Sequence, residues 1–227
     1  MQNFAERFQQ VCSQIRHATG IAGRPRGCVQ LLAVSKTKPA SDIAILYRLG
    51  QRHFAENYLQ EALQKQLQLA AFNITWHFIG PIQSNKTKSI ACHFDWVHSV
   101  DRLKVAQRLS EQRPEHLPPL NICLQVNISE ETSKSGVSLT ELPQLVEAVN
   151  GLPRIRLRGV MAIPEPETSY PKQRQPYRRL YQAVQQLNRP ELDSFSFGMS
   201  GDLKAAIMEG ATMVRVGTAL FGERHYI

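Results

Sequence analysis

The chain has 227 residues, a formal net charge of +8, 42% hydrophobic residues and 20% charged residues; that length holds one large domain or two small ones, a single α/β barrel included. The composition is ordinary for a soluble globular protein, and no apolar run approaches the ~18–20 residues that a membrane span requires. Basic residues are dispersed as Lys36/Lys38, Lys86/Lys88, Arg154/Arg156/Arg158 and Arg178/Arg179 with no basic block, which ranks a solvated surface first, a small anionic ligand second and RNA third.

The N-terminus reads as an amphipathic helix, with Phe4, Phe8, Val11, Cys12 and Ile15 on one stripe and Glu6, Arg7, Gln10 and Gln14 opposite. It does not resemble an export signal, so a cytoplasmic protein is expected. Cys12, Cys28, Cys92 and Cys123 are widely spaced without a CxxC pair. That argues against zinc or a redox pair and for buried, reduced thiols.

Eight strand-like runs follow: Val29–Val34, His53–Glu56, Trp76–Ile79, Trp96–Ser99, Ile122–Asn127, Leu157–Ile163, Ser194–Phe197 and Met213–Val216. Helical patterns lie between them. Ser41-Asp42 opens one that stops at Gly50, and Tyr58–Ala71 and Asn85–Cys92 supply the next two. Leu103–Glu111 follows Asp101 as an N-cap, and Leu139–Asn150 ends at Gly151 as a C′ glycine. Tyr177–Leu187 and Leu203–Gly210 complete the set. Pro164–Pro176, with four prolines, reads as a loop.

Eight β/α alternations in this length point to an α/β fold, a single (β/α)8 TIM barrel with an extra N-terminal helix, more than to an open doubly wound sheet. One domain over residues 1–227 is expected, since no linker or repeat divides the chain. Lys36, Glu56-Asn57, Gly80-Pro81, Asn127, Met161, Gly198-Met199-Ser200 and Gly217-Thr218 all follow strands. In a barrel these positions converge on the carboxyl-terminal mouth, where sites form.

Three of these features carry chemistry. Lys36 ends an apolar strand, and Pro39 bars immediate return to pairing. An amine there can enter a pocket and, partly desolvated, form a Schiff base, or it can simply be solvated at a strand end. In Phe197-Gly198-Met199-Ser200-Gly201-Asp202, backbone N–H groups and the Ser200 hydroxyl form either a phosphate cradle or an ordinary capped βα turn. Arg215 alternates with Val214 and Val216 and so faces the barrel interior, as a ligand group or as half of an internal ion pair. Gly217-Thr218 just beyond it supplies close backbone approach and a hydroxyl. An aldehyde for Lys36, a phosphate for Ser200, Gly217 and Thr218, and a ring acceptor for Arg215 describe pyridoxal 5′-phosphate (PLP).

The sequence resembles the YggS/PROSC family of pyridoxal-phosphate homeostasis proteins, which are similar to the barrel domain of alanine racemase. The matching words include Ala33-Val34-Ser35-Lys36-Thr37-Lys38-Pro39, Glu56-Asn57-Tyr58, Trp76-His77-Phe78-Ile79-Gly80, Gln125-Val126-Asn127-Ile128, Arg158-Gly159-Val160-Met161-Ala162-Ile163-Pro164 and Val214-Arg215-Val216-Gly217-Thr218. By resemblance, Lys36 carries the internal aldimine, Ser200, Gly217 and Thr218 hold the phosphate, Arg215 meets the pyridine nitrogen, and Asn57 lines the pocket. Ala55, Phe197 and Gly201 depart from the family's usual residues; the first two bear on packing, and Gly201 slightly loosens the phosphate loop.

The resemblance implies a PLP-holding and delivery protein, a monomer with little or no turnover, whose recipients would be PLP-dependent apo-enzymes. Arginine at the ring nitrogen weakens the cofactor as an electron sink. The base opposite the lysine in alanine racemase resembles a tyrosine from a second domain, which a chain ending at Ile227 is expected to lack. A narrow-range amino-acid racemase is the alternative. Lys134 reads as a solvated loop lysine, with a second phosphate or aldehyde site as the rival reading. His77 and His98 read as packed or hydrogen-bonded histidines, not metal ligands.

Overall fold

The computed structural model describes residues 3–129 and 135–223. Strands β1 (Gln30–Val34), β2 (His53–Glu56), β3 (Thr75–Phe78), β4 (Trp96–Val100), β5 (Leu120–Val126), β6 (Ile155–Ala162), β7 (Ser194–Ser196) and β8 (Met213–Val216) close into one parallel barrel in sequence order. The closing pair β1–β8 sets Leu32 beside Arg215 and Ala33 beside Val216. Helices α1 (Phe4–Ile21), α2 (Ala40–Arg48), α3 (Leu59–Gln68), α4 (Thr87–His93), α5 (Leu103–Gln112), α6 (Leu142–Asn150), α7 (Tyr170–Gln186), α8 (Leu203–Met208) and α9 (Thr218–Phe221) surround it. The (β/α)8 barrel with its extra N-terminal helix is therefore the fold, and no helix of the described residues is long and apolar enough to cross a membrane.

Alternation along each strand sorts the side chains into two cores. Leu31, Ala33, Phe54, Ile122, Leu124, Val214 and Val216 face outward and pack under the helices. Leu32, Ala55, Cys123, Met161 and Met213 face the lumen, with Val34, Ile79 and Trp96 against them. Helix α1 is fixed by a capping box between Asn3 and Glu6 and lies across α8 and α9. Gly50, at φ +105, ends the α2 region as a glycine stop should.

Several local expectations are corrected. Helix α7 starts at Tyr170, inside the stretch read as a proline loop, and carries Pro176 in its interior. Pro176 removes one helical N–H donor, yet the helix continues because Tyr177, Leu180 and Val184 bury one face. Tyr177 stacks on Phe197 at 5.2 Å between ring centroids. The N-cap of α5 is Arg102, without a side-chain cap bond; Asp101 instead accepts from Arg102 Nη1 at 2.6 Å. Gly151 has φ −85°, an ordinary right-handed conformation, so it needs no glycine. Of the four free thiols only Cys123 is buried; Cys12, Cys28 and Cys92 are half-buried.

Candidate functional site at the barrel mouth

Lys36 sits two residues beyond the end of β1, on a turn clamped from below. Lys65 of α3 is 5% exposed and uses its three ammonium protons on Ser35 O (2.7 Å), Glu56 Oε1 (2.7 Å) and Glu61 Oε1 (2.6 Å). Ser35 Oγ donates to the same Glu56 oxygen at 2.6 Å, and Thr37 N donates to Glu61 Oε1 at 2.6 Å. Both neighbours of Lys36 are thus tied to one ionic cluster. Thr37 is held at φ +63, an uncommon conformation for a β-branched residue. Burial raises the Glu56 pKa, and Lys65 draws it back. Lys38 is the other lysine of the turn; its Nζ donates to Glu223 O at 2.7 Å and anchors the segment after α9.

Arg215 faces the lumen and is 3% exposed. It donates through Nη1 to Ser196 O and, at 2.8 Å, to Ser196 Oγ, and through Nη2 to Ala162 O at 3.0 Å. These partners are neutral, so the ion pair considered from the sequence does not form with them. Burial lowers the Arg215 pKa, while Tyr177, Asp202 and Cys123 act in the opposite direction. A guanidinium nevertheless stays charged in a protein.

The turn after β7 is shaped by Gly198 and Asp202. Gly198 has φ +81 and a Cβ there would meet Ala206 Cβ at 2.5 Å, so only glycine fits. Asp202 Oδ1 accepts from Met199 N at 2.7 Å and Oδ2 accepts from Tyr177 Oη at 2.5 Å. Asp202, at the N-cap position of α8, therefore caps the preceding turn, and Ser200 and Gly201 are left exposed at the mouth. A Cβ on Gly201 would meet nothing within 4 Å. After β8, Gly217 O accepts from Leu220 N and Phe221 N at 2.9 and 3.0 Å, starting the short α9. Gly80 lets β2 and β3 converge here, because a Cβ on it would lie 2.0 Å from Asn57 O.

A cavity of about 280 Å³ gathers these elements. Lys36, Asn57, Ser200, Arg215, Gly217 and Thr218, the six residues singled out in the sequence, all line it. Met199, placed at the mouth from the sequence, also lines it, whereas sequence reading missed Lys38 and Phe221 of its wall; they lie in the right loops, but only chain geometry turns them inward. It also missed Lys65, whose signal was a lysine on the buried stripe of Leu59 and Ala62. Lys134 lies outside the described residues. Among the described residues no group of three or more His, Cys, Asp or Glu side chains could hold a metal ion.

The wall matches an anionic, aldehyde-bearing ring. It presents two lysines, an arginine and two hydroxyls, and no carboxylate among the described residues. Asn57 Oδ1 is buried with no hydrogen-bond partner, an acceptor that a ligand donor would satisfy.

A closed (β/α)8 barrel with this mouth is the alanine racemase type of barrel: residues 7–225 match the family model described as alanine racemase, N-terminal domain. Full-length relatives narrow this. The chain is 59% identical over 226 residues to the pyridoxal phosphate homeostasis protein of Pseudomonas aeruginosa, covering 100% of this chain and 98% of that one. It is 51% identical to that of Escherichia coli K12, with 100% and 99% covered. The chain belongs to the YggS/PROSC family of pyridoxal phosphate homeostasis proteins. Among solved structures, PipY of Synechococcus elongatus PCC7942 without PLP is 36% identical, with a TM-score of 0.87 and 97% and 100% of the two chains covered. The PLP-bound form of PipY gives a TM-score of 0.85 at the same identity and coverage. Alanine racemase of Corynebacterium glutamicum, at 18% identity and a TM-score of 0.65 over 61% of its chain, shares the fold.

Proposed function

We propose that this protein binds PLP at the barrel mouth and serves PLP (vitamin B6) homeostasis in the cytoplasm, as one barrel domain over residues 1–227, with little or no turnover. The observation that carries this is the convergence of Lys36, Arg215, Ser200, Gly217 and Thr218 on one cavity. PLP, when bound, supplies an aldehyde that condenses with amines and a ring that withdraws electrons. Lys36 provides the amine, on a turn that the Lys65 cluster holds in place. Ser200, Gly217 and Thr218 hold the phosphate with hydroxyl and backbone donors. Arg215 donates to the ring nitrogen and, unable to release its proton, keeps that nitrogen an acceptor. Asn57 closes the side wall.

Racemisation needs a second acid–base group facing the α-carbon from the side opposite Lys36. Among the described residues the wall offers no carboxylate, imidazole or phenol for it, which favours holding over turnover. The recipients we infer are apo-enzymes that use PLP, served by a monomer with an open mouth.

Reconstitution with PLP tests this. Wild type should turn yellow and Lys36→Ala should remain colourless while keeping its far-UV circular dichroism. A wild type that takes up no PLP would overturn the reading. Solvent-deuterium exchange at the α-carbon of single amino-acid enantiomers, well above that with free PLP, would establish the racemase instead.

A further inference from the structure

Arg215 is one end of a hydrogen-bonded chain that crosses the barrel lumen. Its Nη1 donates to Ser196 Oγ at 2.8 Å, and Ser196 Oγ lies 2.8 Å from His98 Nδ1. His98 Nε2 lies 2.9 Å from His77 Nδ1, and His77 Nε2 lies 3.0 Å from His53 Nδ1. Ser196, His98 and His77 are buried, whereas His53, the first residue of β2, is half-buried at the barrel floor. The chain connects the cavity end of the lumen to the opposite face of the molecule.

Chemistry gives the chain a direction. Arginine only donates, so Ser196 Oγ accepts from Arg215; its own buried O–H needs an acceptor, and pointing it at His98 Nδ1 supplies one. His98 then carries its proton on Nε2 and gives it to His77 Nδ1, and His77 does the same toward His53. In this arrangement all three imidazoles are neutral, with the proton on Nε2. Their surroundings agree. Burial lowers the pKa of His53 and His77, and burial with the Arg215 charge brings His98 to about 3. Asp95 pulls His53 upward, but its carboxylate accepts from Trp76 N at 2.8 Å and Arg113 also acts on it. Burial pushes the Cys123 thiol up to about 12, with Arg158 and Asp193 acting on it in opposite senses. At the Arg215 end the facing groups are Tyr177 and Asp202, already bonded to each other.

We propose that Ser196, His98, His77 and His53 are positioning residues for Arg215, and that their chain carries the protonation state of His53 from the barrel floor to the cavity. This rests on the cavity being the PLP site. When His53 takes one proton from solvent, both of its nitrogens bear hydrogen. His77 must then accept on Nε2 and donate from Nδ1, and His98 likewise donates from Nδ1 to Ser196. One proton enters; each inner imidazole keeps one N–H and changes which nitrogen bears it. Ser196 Oγ now faces two donors, and its own O–H loses its acceptor. The hold on Arg215 weakens, and with it the hold on the cofactor ring. Release of PLP becomes linked to acid through a residue remote from the cavity.

Two measurements test this. In the first, long-range ¹H–¹⁵N spectra of the ¹⁵N-labelled apo-protein follow the imidazoles from about pH 8 to about pH 5. Three Nε2–H tautomers at the upper limit, with His77 and His98 switching as His53 titrates, are expected; Nδ1–H tautomers at the start, or His53 titrating alone, would overturn the chain. In the second, the PLP dissociation constant is measured over the same range in wild type and in His53→Gln, whose side-chain carbonyl still accepts from His77 but does not ionise. Affinity should fall about fivefold more in wild type, the worth of roughly one hydrogen bond. Identical pH dependence in both proteins would overturn the coupling. If wild type bound no PLP at any pH, the cavity reading and the coupling would fall together, and the tautomers of the apo-protein would still decide whether the chain exists.

Discussion

The two cores of this barrel are built on opposite principles. Between sheet and helices the filling is aliphatic and aromatic, with Phe54, Phe78, Phe94, Leu109, Leu120 and Ile122 fully buried. Inside the sheet, where (β/α)8 barrels usually hold branched aliphatic layers, the lumen contains Arg215, Ser196, His98 and His77 beside a small apolar cluster. The outer layer draws its stability from area removed from water and cavity-free packing. The lumen gives up part of that gain, because each buried polar group must find a partner. In return the arginine is held rigidly at the mouth. One charged intrusion into the outer layer, Lys65 with Glu56, lies directly beneath the Lys36 turn.

That intrusion offers the largest effect. Lys65→Met strands Glu56 without its countercharge, and we expect a loss of about 3–5 kcal/mol by chemical denaturation, with a broadened PLP-binding transition. The sign with pH follows from the raised Glu56 pKa. A carboxyl whose folded pKa lies above its unfolded value favours the fold below the unfolded pKa and loses that contribution as pH rises through the folded one. The defect should therefore shrink in acid, and Glu56→Gln in the same chain should recover much of it.

Ile122→Ala, in the outer layer, should cost about 3 kcal/mol through its cavity. Because it changes no titrating group, its denaturant midpoint should shift in parallel with wild type at every pH, and PLP affinity should be unchanged. The lumen should behave otherwise. The folded pKa values of His98 and His77 are depressed, so their contribution is present above about pH 6.5 and is lost as pH falls, by up to ~1.4 kcal/mol per pH unit for each. His98→Gln should remove one proton from the slope of stability against pH between about pH 6 and pH 5, read from urea titrations. An unchanged slope would erase the distinction between the cores. The smallest effect is expected at Gly201, where a Cβ meets open space. Gly201→Ala should leave stability within about 0.5 kcal/mol and PLP affinity close to wild type.

The barrel was legible because each strand is a short apolar run bounded by polar turns, and because eight such runs alternate with helical patterns. Lys36, Ser200, Arg215, Gly217 and Thr218 could be singled out because chemistry-bearing residues just past strand ends share the mouth of any such barrel. Asn57 was reached through family resemblance. The start of α7 was not legible: local proline chemistry predicts a loop, and burial of Tyr177 against Phe197 overrides it. Nor was the histidine chain. His53, His77 and His98 stand on neighbouring strands, but the step from His98 to Ser196 joins residues 98 positions apart across a closed lumen, and closure is a property of the whole sheet.

The most direct test is to locate the PLP carbon on the chain. Borohydride trapping of the PLP-loaded protein, followed by peptide mass mapping, should find the pyridoxyl group on Lys36 in near-stoichiometric amount and nowhere else in comparable yield. A label on Lys38 or Lys134 with Lys36 unmodified, or no label at all on protein that has bound PLP, would contradict the account.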